Sequence, residues 1–273
     1  MAVAYATVMV NLDPGQVNTA ALHVAGDLSE RLHARVIGIA AGQLVTSVYA
    51  DGYVAGSLMN QVREDVENLV KASETEFRHA LHNRAHDIEW RSAVTFGSTA
   101  AYVAGEARGA DLVVTGAGGH AVRSVNTGDL VMQAGRPVLA VPANTAALDT
   151  GRIVIAWKDT REARRAAFDA LPLLKLAEKV VVVEIASKDD MAEAGLRTRD
   201  VASWLARHGV VAEATVSATT GSDQHRLHEI AREHKAGVIV AGAYGHSRVR
   251  EWIIGGVTRA LLDDSECCSL LSH

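Results

Sequence analysis

The chain has 273 residues, room for one large or two ordinary domains. Its 48% hydrophobic and 22% charged residues are the balance of a globular protein with ample material for a core, and a net charge of −5 argues against a nucleic-acid partner bound through phosphate neutralisation. Aromatic residues make up only 4%, so the core must be aliphatic.

The opening segment "MAVAYATVMVNLD" lacks a basic leader, and its apolar stretch is too short to cross a bilayer. No membrane span and a cytoplasmic location are expected. Cys267 and Cys268 are adjacent, a spacing that rarely gives acceptable disulfide geometry; a reducing compartment follows.

Short Val- and Ile-rich runs predict strands near 5–11, 35–40, 88–94, 111–115 and 137–141. Between them, helical periodicity predicts helices near 16–33, 58–83, 98–108 and 120–133. The longest carries an apolar stripe of Leu58, Val62, Val66, Leu69, Val70, Phe77 and Leu81. A second series follows, with strands near 152–156, 179–185, 211–217, 237–241 and 268–271 and helices near 160–176, 190–208, 222–234 and 248–262.

The two series are copies. "ADLVVTGAGGH" (110–120) aligns without a gap on "AGVIVAGAYGH" (236–246), and "YATVMVNLD" (5–13) corresponds to "GRIVIAWKD" (151–159). The boundary lies near "VPANTAALDTG" (141–151), giving domains of 1–145 and 150–273. Alternating buried strands and helices predict a doubly wound α/β fold: two tandem, Rossmann-like parallel sheets. Such sheets bind ligands at the carboxyl ends of their strands, where strand order reverses.

The segment "GAYGHSRVREWIIGGVTRALL" (242–262) follows such a strand. Gly242 and Gly245 permit a turn and a close approach of backbone N–H groups to an anion. Gly255 and Gly256 leave further amides open before a helix, and Thr258 offers a hydroxyl. Arg248 and Arg250 either add positive charge or lie on a solvated face. The competing explanation is a tight turn with close helix–sheet packing.

The spacing Gly242-x2-Gly245-x9-Gly255, followed by Gly256-Val257-Thr258, resembles the nucleotide-binding signature of the universal stress protein family. The resemblance covers nearly the whole chain as two tandem domains. It implies a five-stranded parallel sheet of order 3-2-1-4-5 in each half. It also implies ATP, with or without magnesium, at the ends of strands 1, 2 and 4 of the second half. The residues carried over are Lys158 and Asp159 after the first strand and Ile185 on the second. Ala241, Gly242, Gly245, His246 and Arg248 come from the fourth strand and its loop, and Gly255, Gly256, Val257 and Thr258 from the start of the next helix. A homodimer, or pairing of the two halves within one chain, is the implied assembly. The implied role is a stress-response binding protein that acts as a regulatory or protective switch. Its rivals are a stress protein working through protein contacts or another small ligand, and a slow ATP hydrolase.

This sequence departs from that pattern in three places. Gly256 stands where Ser or Thr is usual. The Asp that usually closes the first strand is Asp13 in the first half, but Lys158 aligns there in the second. Either Lys158 reaches a phosphate or the strand slips to present Asp159. In the first half, eight residues separate Gly119 from Gly128, and Asp129 follows, where a carboxylate would repel a phosphate. The first half is therefore expected to hold no ATP and to serve as a partner domain, or to bind something else through the long 41–57 loop.

His225 and Glu229 share a predicted helix face, but a solvated face is the simpler reading. His120 and His246 each follow a glycine turn, by shared ancestry or as ligands. No Walker phosphate loop, nucleophile elbow or His-Glu-x2-His zinc motif occurs. No general base or metal-holding acid is evident beyond Asp159, so catalysis is not expected beyond weak ATP hydrolysis.

Overall fold

The computed structural model describes residues 4–45, 56–118, 124–219, 222–243, 256–263 and 266–273. The first half runs β1 (Thr7–Asn11), α1 (Thr19–Leu32), β2 (Arg35–Gln43), α2 (Gly56–Leu81), β3 (Ile88–Thr95), α3 (Thr99–Glu106), β4 (Leu112–Gly116), α4 (Thr127–Gln133) and β5 (Val138–Val141). The second runs β6 (Arg152–Trp157), α5 (Arg161–Asp169), α6 (Leu171–Leu174), β7 (Lys179–Ala186), α7 (Met191–Arg207), β8 (Ala212–Ala218), α8 (Asp223–His234), β9 (Val238–Gly242), α9 (Gly256–Asp263) and β10 (Cys268–Ser272).

The sheet order is β3-β2-β1-β4-β5-β10-β9-β6-β7-β8. Each half therefore has the expected order 3-2-1-4-5. Instead of two separate sheets there is one of ten strands, because β5 and β10 pair antiparallel, with Leu270 opposite Leu139. Both are short and buried along their whole length. Left as edges, they would strand unpaired amides and carbonyls in an apolar setting.

Helices cover both faces. On one face α1, α2, α5 and α6 bury Leu22, Leu28, Phe77, Ala163 and Leu171; on the other α3, α4, α8 and α9 bury Val103, Leu130, Leu227 and Leu261. Each cluster draws residues from both halves. The connection between halves is fastened too. The Leu148 amide donates to Asp27 Oδ2 at 2.6 Å, and Arg31 donates to Thr150 Oγ1 at 3.1 Å. Among the described residues, no helix is long and apolar enough to cross a membrane.

Three helices differ from expectation. On α2, Val66, Val70, Phe77 and Leu81 are buried, but Leu58 is 46% exposed, so the apolar stripe leaves the core toward its first turn. The helix expected over 160–176 breaks at Ala170 into α5 and α6, and Pro172 stands in the first turn of the second piece; proline has no N–H to continue a helix from the preceding turn. The helix expected from 120 starts at Thr127, because Asn126 caps it, its side chain accepting from the Asp129 amide at 2.9 Å. Of the helix expected over 248–262, residues 248–255 lie outside the described residues.

Candidate functional site

Strand register superposes the halves residue by residue. Val8 pairs with Leu112 in the first half, and Ile153 with Val238 in the second. Asn11 thus corresponds to Ala156, Thr115 to Ala241 and Gly116 to Gly242. One step beyond β6, Lys158 takes the place of Asp13. No slip presents Asp159, which instead forms an ion pair with Arg164. Lys158 is exposed, and its carbonyl accepts from the Thr160 amide at 2.7 Å. Thr160 then caps α5 by accepting from the Ala163 amide at 3.3 Å.

In the first half these positions are closed by the chain itself. Asn11 is 1% exposed, and its Nδ2 donates to Thr115 Oγ1 and to Asp13 Oδ1, both at 3.2 Å. Asp13 Oδ1 also accepts from the Val125 amide at 2.9 Å, and Thr127 Oγ1 donates to the Gly116 carbonyl at 3.2 Å. Burial pushes the Asp13 carboxyl above its ordinary pKa, against hydrogen bonds from Val125, Asn11 and Ser124 that lower it. The Asp129 amide is likewise capped, by Asn126 Oδ1 at 2.9 Å.

The second half differs at the matching positions. Ala156 pairs with Ala241, and Ala156 is also opposite Val183, two residues before Ile185. Alternation puts Ala156, Ala241 and Ile185 on one face, the side of α8 and α9. Ala241 is 4% exposed, while Ala156 and Ile185 are half-buried. Two methyl groups replace the Asn11–Thr115 pair, a small apolar patch on that face. At its margin α9 begins with Gly256 exposed, Val257 half-buried and Thr258 buried. The Gln224 amide from α8 lies against Gly256. The first-turn N–H groups of a helix have no intrahelical acceptor. Gly245, His246, Arg248 and Gly255 lie outside the described residues, as does His120.

Gly242 has a packing reason of its own. A Cβ there would sit 2.4 Å from the Ala163 nitrogen and 2.6 Å from the Glu162 carbonyl carbon, so α5 packs directly on the end of β9. The opposite sheet face also holds Glu184, 5% exposed, bound by Arg197 at 2.7 Å. His225 and Glu229 do share a helix face, at 3.9 Å, but Arg226 holds Glu229 at 2.9 Å. Sequence reasoning did not single out Ala156, Gln224 or the Asn11–Thr115 pair. Ala156 and the pair become visible only when the first and fourth strands of the two halves are compared position by position.

No protein-family profile matches the chain, and no curated protein does. Solved structures do. A universal stress protein from Archaeoglobus fulgidus DSM 4304 matches with a TM-score of 0.76 at 14% identity, over 97% of this chain and 95% of that one. A functionally unknown protein from Pseudomonas aeruginosa PAO1 matches with a TM-score of 0.66 at 17% identity, over 98% of this chain and 92% of that one. The architecture is therefore an α/β, Rossmann-like fold. The chain has the universal stress protein fold in a form that spans both halves.

Proposed function

We propose that this is a stress-response protein whose C-terminal half binds an adenine nucleotide, with ATP as the first candidate, and acts as a regulatory switch. The observation that carries this reading is the exchange of Asn11 and Thr115 for Ala156 and Ala241 at matched strand ends. The first half fills its own hollow, and the second leaves a flat apolar floor of the kind a purine ring covers. Thr258 and the opening amides of α9 would face the phosphates, where the helix dipole favours negative charge. Lys158, standing where the first half has Asp13, supplies a cation at the same edge. Gly245, His246, Arg248 and Gly255 complete the set implied by the sequence, and magnesium would enter with the phosphates. The N-terminal half serves as a closed partner domain. The β5–β10 pairing, which joins the halves within one chain, supports the intrachain form of assembly.

Titration calorimetry of the full chain with ATP tests the reading. Saturable heat at one site per chain is expected, lost in Gly245→Val. A flat titration with ATP, ADP and AMP alike would favour the reading in which the protein acts through protein contacts.

A further inference from the structure

Gln224 stands half-buried in the first turn of α8, beside the first residue of α9. A Cβ on Gly256 would overlap Gln224 Nε2 and lie 3.0 Å from its Cδ. The carboxamide thus occupies the space that a side chain at position 256 would take. It has no hydrogen-bond partner among the described residues.

Its orientation is not that of a cap. A capping side chain turns an oxygen to the unpaired N–H groups of a first turn, as Asn126 does for α4. Gln224 turns its NH2 group to α9 instead. Donors from α8 and donors from α9 meet in one place, and the partner that both lack is an acceptor.

The first half builds the same corner with the opposite character. Ser98 and Ser222 cap α3 and α8 alike, each accepting from the amide three residues on. Ala100 therefore matches Gln224, and it packs in one apolar cluster with Leu130 of α4. The position aligned with Gly256 is Asp129, exposed in the first turn of α4. One half sets an alanine beside a carboxylate; the other sets an amide donor beside bare backbone. The first arrangement repels an anion and the second accepts one.

We propose that Gln224 is a specificity-determining residue of the nucleotide site, its Nε2 donating to a phosphate oxygen that lies over the first turn of α9. This rests on the nucleotide reading and adds to it a preference for phosphorylated over unphosphorylated nucleosides.

Titration calorimetry of the full chain with ATP and with adenosine tests the assignment. Gln224→Ala is expected to weaken ATP about tenfold, the loss of one hydrogen bond to a charged group, and to leave adenosine unchanged. Gln224→Glu, nearly the same in size, is expected to weaken ATP about 100-fold by repulsion, again without effect on adenosine. An acid in a first turn favours its helix, so that loss is not unfolding of α8. Wild-type ATP affinity in both variants would overturn the role of Gln224 and leave the nucleotide reading standing. Equal weakening of ATP and adenosine would overturn it too, because Gln224 would then act on the shape of the site alone. A wild-type chain that binds neither ligand would overturn both readings at once.

Discussion

The backbone nitrogen of Ala163 lies 2.4 Å from where a Cβ on Gly242 would stand. The glycine that opens the Gly242-x2-Gly245 spacing is thus also the place where α5 touches the sheet. Its counterpart in the first half, Gly116, would place a Cβ with nothing within 4 Å.

These two glycines predict opposite outcomes for one substitution. Gly242→Ala must displace the backbone of a helix and is expected to cost about 3 kcal/mol, the upper range for overpacking. Gly116→Ala is expected to stay within about 0.5 kcal/mol of wild type. Urea unfolding of the two variants checks this; equal effects would mean that α5 is not seated on Gly242.

The Tyr5 hydroxyl donates to the Asp169 carbonyl, and Ser272 Oγ donates to Asp169 Oδ2 at 3.0 Å. One α5 residue thereby holds the start of the first half and the last strand of the second. Tyr5→Phe leaves a buried carbonyl without its donor and is expected to cost about 1–3 kcal/mol. Thermal unfolding should keep a single transition, at lower temperature.

Asp13 gives a dependence on pH. Burial, the largest cause, raises its folded pKa, so the native protein keeps a proton that the unfolded chain releases at about pH 3.9. In that window the folded state binds more protons. The stability from this group is full below the unfolded pKa and is lost as pH rises through the folded one. Asp13→Asn keeps an acceptor for the Val125 amide and removes the ionisation. The variant is expected to gain on wild type in urea midpoint between about pH 3.5 and pH 7. A constant difference across that range would contradict the assignment.

Much of this architecture was legible because strands buried on both faces read as unbroken aliphatic runs, such as Val180–Val183, and because the halves repeat. The union of the two sheets was legible only as one of two assemblies that the family resemblance implies. Nothing local in Val138–Val141 or Cys268–Ser272 says which apolar edge will meet which. The start of α4 was misplaced because its capping depends on Asn126 and on a distant carboxylate, Asp13, holding Val125. At the site, the glycines and Lys158 stood out by spacing. Ala156 and Ala241 did not, since an alanine on a buried strand is ordinary until the matched position is seen to hold a hydrogen-bonded Asn11–Thr115 pair.

That contrast allows the most direct test. The double variant Ala156→Asn/Ala241→Thr installs the first half's closed pair on the second half's floor without touching the glycine loop. In ATP calorimetry it is expected to bind at least about 30-fold more weakly than wild type, a loss of roughly 2 kcal/mol, while its circular dichroism stays native. Unchanged ATP affinity in a folded double variant would contradict the claim that the open floor between β6 and β9 is where the nucleotide sits.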